Sequence, residues 1–219
     1  MSAGTELDLV ELTAGVVLAC AVVTLWRRDL RALVAVLALQ GVALAALAAV
    51  LALHTGDVGL GVVAGVVLLA KGLVIPNLLA RVVRRDPGSR ETTPLVNVPA
   101  SLVAAAGLVI VAYLSAGRLT SLFPSPVTRL APLGLATVLV GFFVLVTRRK
   151  AVSQIVGLLL VDNGVALVAF LLTAGVPLLV ELGASFDVLL VVVVLQVLAT
   201  SMRARFGHVD LDQLRELHD

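Results

Sequence analysis

The sequence predicts an all-α, polytopic membrane protein of seven transmembrane helices, and three observations carry that reading. Hydrophobic residues make up 60% of the 219 and charged residues only 14%, where a soluble domain is about a quarter charged. Apolar runs of about 20 residues, enough to cross a hydrocarbon core of about 30 Å, follow one another along the chain. Lys and Arg fall between alternate runs, which is the signature of topology. The net charge of +2 gives no reason to expect a nucleic-acid partner.

Spans are expected at 7–26, 30–53, 58–80, 98–115, 131–147, 152–173 and 177–200, so that 1–202 form one membrane domain followed by a tail helix over 203–219. The first span follows an acidic segment that lacks the basic n-region of a signal peptide, and ends at Trp26 beside Arg27 and Arg28, an interfacial anchor. The second follows Arg31 and carries Gln40 at its middle. The third contains Gly61 and Gly65, a GxxxG spacing that permits close helix approach, then Lys71, Gly72 and Pro76, and runs out towards Arg81, Arg84, Arg85 and Arg90. The fourth is a connector. The fifth ends on Arg148, Arg149 and Lys150; the sixth carries Gln154, Asp162, Asn163 and Gly164. The seventh opens on Pro177, carries Glu181, Asp187 and Gln196, and ends before Arg203 and Arg205. In the tail, Asp210 and Gln213 form a capping pair, with Leu211 and Leu214 on one face. Only Arg118 and Arg129 fall on the side opposite the basic clusters. The positive-inside rule therefore places the N-terminus outside and the C-terminus in the cytoplasm of a multi-pass protein of the inner (plasma) membrane.

One cysteine, Cys20, permits no internal disulfide or iron–sulfur site, and His54, His208 and His218 lack metal-site spacing. No metal, no cofactor and no catalytic chemistry are expected of the chain itself. The chemistry lies in polar groups at one depth. Gln40 and Asp162 lie about ten residues, roughly 15 Å, from the cytoplasmic ends of their spans, and Asp187 a similar distance from the outer end of its own. Lys71 lies about 13 residues, roughly 20 Å, from its outer end. Each ionisable group at such depth costs roughly 2.5–3.5 kcal/mol on insertion scales, so its retention marks a functional candidate. Pro76 cannot donate to the carbonyl of Gly72, four residues back, which predicts a helix break beside the Lys71 ammonium. Lys71 is either a proton-handling point or a structural lysine paired to a carboxylate; Asp162 is either a proton relay, held near working pH by a partner such as Lys71 or by a water file, or part of a helix-packing hydrogen bond with Asn163 as glue. Glu181 is an outer-side candidate and Gln40 a polar neighbour. The segments Gln40-Gly41-Val42-Ala43-Leu44 and Asn163-Gly164-Val165-Ala166-Leu167 echo one another, and raise the expectation of parallel three-helix repeats over 7–80 and 131–200.

These residues resemble the hydrogenase-4 component E family, small membrane subunits of complex I-like hydrogenase and formate hydrogenlyase assemblies. The likeness runs through spans two to seven and the tail. It is densest at Lys71-Gly72-Leu73-Val74-Ile75-Pro76, at Gln154 through Asp162-Asn163-Gly164, and at Leu179-Val180-Glu181-Leu182-Gly183 through Phe186-Asp187. Spans five to seven are similar to complex I K-type subunits and to cation/proton antiporter C-type subunits. The resemblance implies a non-catalytic membrane-arm subunit of an oxidoreductase complex, set between quinone-subunit-like and antiporter-like neighbours. Cytoplasmic redox subunits would be reached through the tail, and the buried charges would join a proton or sodium path. Asp162 stands where the family pattern has Glu, which shortens the carboxylate's reach by one methylene. The rival expectations are a stand-alone secondary transporter and a structural scaffold with its charges locked in pairs.

Overall fold

The computed structural model describes residues 3–84, 95–122 and 124–173, which lie in one compact unit, Met1–Glu181. The expected seventh span, with Glu181, Asp187 and Gln196, and the tail helix lie outside the described residues. In chain order the helices are α1 (Ala3–Trp26), α2 (Leu30–Thr55), α3 (Val58–Val67), a π-helical stretch (Leu68–Val74), α4 (Ile75–Arg84), α5 (Val98–Ser115), α6 (Gly117–Leu122), a 3₁₀ turn (Thr128–Leu130), α7 (Ala131–Thr147) and α8 (Ala151–Thr173). Among the described residues, six helices are long and apolar enough to cross a membrane: α1, α2, the continuous α3–π–α4 rod, α5, α7 and α8. They match the first six expected spans. The second and third run further than expected, to Thr55 and Arg84.

Local chemistry sets the ends. Asp29 caps α2 by accepting from the Arg31 backbone N–H at 2.8 Å, and Gly56 closes it at φ 68°, a left-handed conformation that favours glycine. Asp57 then caps α3, its Oδ1 accepting from the backbone N–H groups of Gly59 and Leu60 at 2.8 and 3.3 Å. Two aspartates and one glycine therefore turn the chain between the first three spans. Asn97 caps α5 through the Ala100 N–H, and Pro132 starts α7 where its missing N–H costs nothing.

Helix α2 is the hub, packing against α1, the whole α3–π–α4 rod and α8. Val10, Ala14 and Val17 of α1, Leu44, Leu47 and Leu51 of α2, Leu60 and Val67 of α3, and Leu167 and Phe170 of α8 share one apolar core. Helix α5 lies at the edge against α7 and α1, with only 17% of its span buried against 56% for α2. Its exposed Val103, Ile110 and Leu114 suit contact with hydrocarbon.

In a membrane, apolar side chains gain little by leaving lipid for protein, so helices associate through close packing of small residues. The tightest instance is the antiparallel pair α7 and α8. A Cβ at Gly141 would lie 2.7 Å from Val161 N and 3.1 Å from Gly157 O; one at Gly164 would lie 2.6 Å from Val138 N and 3.0 Å from Gly134 O. Four glycines, two per helix at seven-residue spacing, bring the two backbones into contact. The GxxxG of the third span does not act this way. A Cβ at Gly65 would meet nothing within 4 Å, and one at Gly61 only Ala52 Cβ at 4.0 Å.

Candidate functional site

Pro76 shapes the segment that carries Lys71. Its ring carries no N–H and crowds the carbonyl four residues back in an α-helix. The chain responds by widening rather than breaking: Leu68–Val74 is π-helical, and the Ile75 N–H reaches five residues back to Ala70 O. In that register the residue opposite the missing Pro76 donor is Lys71, not Gly72 as an α register predicts. Helix α2 presents Gly41 to this point, where any Cβ would overlap the Lys71 carbonyl carbon at 2.5 Å and Gly72 N at 2.9 Å. Single-turn widenings of this kind recur at functional positions.

The Lys71 side chain, 5% exposed, crosses to α8, where its Nζ lies 2.6 Å from Asp162 Oδ2; the Asp162 side chain is 16% exposed. No directed hydrogen bond reaches Oδ2 among the described residues, so the contact is held by charge and proximity. Attraction between such groups is strong where water is scarce, and the desolvation of both opposes it.

Next to this pair is a second polar link. Gln40, fully buried on α2, donates from Nε2 to Val17 O of α1 at 2.9 Å and accepts at Oε1 from Asn163 Nδ2 of α8 at 2.8 Å. Because a carbonyl only accepts, Val17 fixes which end of the Gln40 amide faces α1 and leaves the oxygen for Asn163. Consecutive residues of α8 thus join different partners, Asp162 to the lysine and Asn163 to the glutamine. The structure brings together Lys71, Asp162 and Gln40 of the expected set, with Gly72 and Pro76 shaping the backbone beneath. Glu181 and Asp187 lie outside the described residues.

Sequence reasoning passed over two further contacts of ionisable side chains. Arg148, read there as a topology signal, is 5% exposed and donates to Thr24, Leu25 and Arg27 O at 2.9, 3.1 and 3.2 Å. It occupies the C-terminal carbonyls of α1, and Gln154 Nε2 donates in turn to Arg148 O at 3.1 Å. At the other end of the bundle, buried Glu6 of α1 pairs with His54 Nδ1 of α2. The available signal was positional: each pair joins span ends that topology puts on one side. Among the described residues no group of three or more His, Cys, Asp or Glu could hold a metal ion.

The chain is 48% identical over 212 residues to uncharacterized protein Rv0085 of Mycobacterium tuberculosis, across 96% of each chain. It belongs to the Rv0085 family. A more distant relative is hydrogenase-4 component E of Escherichia coli K12, 29% identical over 157 residues, or 68% of this chain and 69% of that protein. Component E of Shigella flexneri aligns to the same extent. No protein-family model and no solved structure matches the chain. A membrane protein with six apolar helices among its described residues and a distant link to component E is the common result of fold and comparison.

Proposed function

We propose that this protein is a non-catalytic membrane-arm subunit of a complex I-like, hydrogenase-type assembly in the inner membrane, and that Lys71 and Asp162 carry a proton step there. The observation behind this reading is their 2.6 Å approach from two different spans, deep in the bundle. Proton transfer from Nζ to Oδ2 turns an ion pair into two neutral groups and leaves the pair's net charge unchanged. Desolvation favours the neutral pair and mutual attraction the charged one, so a charge arriving on a neighbouring group tips the balance. Gln40 and Asn163, with their bond fully made, hold α2 and α8 in register beside the pair. Glu181 and Asp187 extend the path, and antiporter-like and quinone-subunit-like proteins are the neighbours. The distant likeness to hydrogenase-4 component E supports membership of such a complex.

The test is Asp162→Asn in the assembled complex, with subunit content and ion movement measured on the same preparation. Retained assembly with ion movement lowered to that of a complex lacking the chain is the expected result. Undiminished movement removes Asp162 from the path.

The closed ion pair itself favours a second reading, a scaffold whose charges only lock helices. Neutralising both partners, as Lys71→Met with Asp162→Asn, distinguishes them: a scaffold that still assembles turns over and pumps normally, whereas a relay does not.

A further inference from the structure

A cleft of about 360 Å³ opens between the start of α2 and the end of α4, lined by Arg31, Val34, Ala80 and Arg84. Its volume falls within the range of small-molecule sites, about 300–1,000 Å³. The two arginines come from different helices that run in opposite directions, so the fold, not sequence proximity, brings them to one cleft. Neither guanidinium has a side-chain partner among the described residues. Asp29 is the one carboxylate at this end among the described residues, and its Oδ1 is engaged by the Arg31 backbone N–H. The cleft therefore presents ten N–H donors (five per guanidinium) and no committed acceptor.

We propose that this cleft binds the phosphodiester headgroup of an anionic phospholipid. Guanidinium forks match phosphate oxygens in geometry and charge, and basic pockets between transmembrane helices are suited to anionic headgroups. The lining selects a lipid over a free anion. Val34, buried on α2, and Ala80, half-buried on α4, form an apolar floor under the two cations. A glycerol backbone and the first acyl carbons would lie on that floor while the phosphate meets the arginines. The cleft is at the end of the bundle where Arg27, Arg28 and Arg81 also gather, which raises the local potential for an anion. This inference is independent of the proton path, because neither arginine touches Lys71 or Asp162.

The experiment is a titration of the purified full chain in detergent with phosphatidylglycerol, read as bound adducts by native mass spectrometry. Phosphatidylcholine and millimolar inorganic phosphate serve as competitors. Phosphatidylglycerol is expected to be retained over phosphatidylcholine and to resist displacement by phosphate. Its affinity should fall roughly tenfold to thirtyfold in R31Q/R84Q, as for the loss of two surface cations, and should hold in R129Q, a change at the opposite end. R31K/R84K, which keeps the charge but not the fork, is expected to fall between wild type and R31Q/R84Q. Equal retention of both lipids, equal affinity in R31Q/R84Q, or displacement by phosphate overturns the proposal. The first and third comparisons use the wild-type chain, so they decide the matter even if a variant folds poorly.

Discussion

Lys71 and Gln40 show how differently two buried polar residues are satisfied at one depth. Gln40 makes both of its bonds to neutral groups. Such interhelical bonds in membrane proteins are worth about 0.6 kcal/mol on average and up to about 1.7 kcal/mol. Lys71 depends on one partner, and removing one member of a buried pair costs about 3–5 kcal/mol because the other charge is left uncompensated. We therefore expect Asn163→Ala to lower stability by about 1 kcal/mol and Lys71→Met by several times that. Adding Asp162→Asn to Lys71→Met should recover more than half of the loss. Thermal unfolding in detergent measures these three together with Asp162→Asn alone, and simple additivity of the Lys71 and Asp162 effects would show that the two residues are not coupled. The meeting of lysine and aspartate was legible because both interrupt long apolar runs at similar depth. Asn163 was legible only as a candidate for helix packing; its bond to Gln40 was not legible in the sequence.

At the scale of the element, glycine position decides which helices touch. Gly141 and Gly65 are both glycines in apolar spans, but only the first faces a backbone. Gly141→Val is expected to force α7 and α8 apart and to destabilise the chain by about 1–3 kcal/mol, the usual cost of overpacking. Gly65→Ala fills open space and should stabilise its helix by roughly 0.5–1 kcal/mol through reduced backbone entropy. Melting temperatures of the two variants, shifting in opposite directions, check the pair. The GxxxG spacing was the visible motif, while the working glycines, Gly134 and Gly141 facing Gly164 and Gly157, carry no short-range signature. The π stretch was half legible. Pro76 announced a disturbance, but whether a helix breaks or widens depends on what packs against it, here Gly41 of α2.

For the whole molecule, Arg148 ties α7 to the end of α1 through one guanidinium nitrogen, whose two N–H groups are shared among three carbonyls; a hydrogen bond to a charged group is worth about 1.5–3 kcal/mol. Arg148→Ala is expected to loosen that end of the bundle, seen as faster proteolysis or amide exchange at Thr24 to Arg27, without changing the Lys71 contact. Orientation has its own test. Replacing Cys20, the sole cysteine, gives a background in which Thr55→Cys and Arg28→Cys can be labelled separately in intact cells. Labelling of position 55 alone by an impermeant thiol reagent is expected for an N-terminus outside; labelling of position 28 alone inverts the topology.

Hydropathy and basic clusters determined the described spans and most of their boundaries, because these depend on the chain and the bilayer alone. The rotation of each helix about its axis was decided only by tertiary packing. Spans apolar on every side have no amphipathic stripe to say which face turns inward. Hence the sequence raised the expectation of Lys71, Asp162, Gln40 and Asp187 at one depth but could not say which of them meet. Contact between backbones at Gly41, Gly141 and Gly164 fixes that rotation, and with it the pairing on which the proposed relay depends.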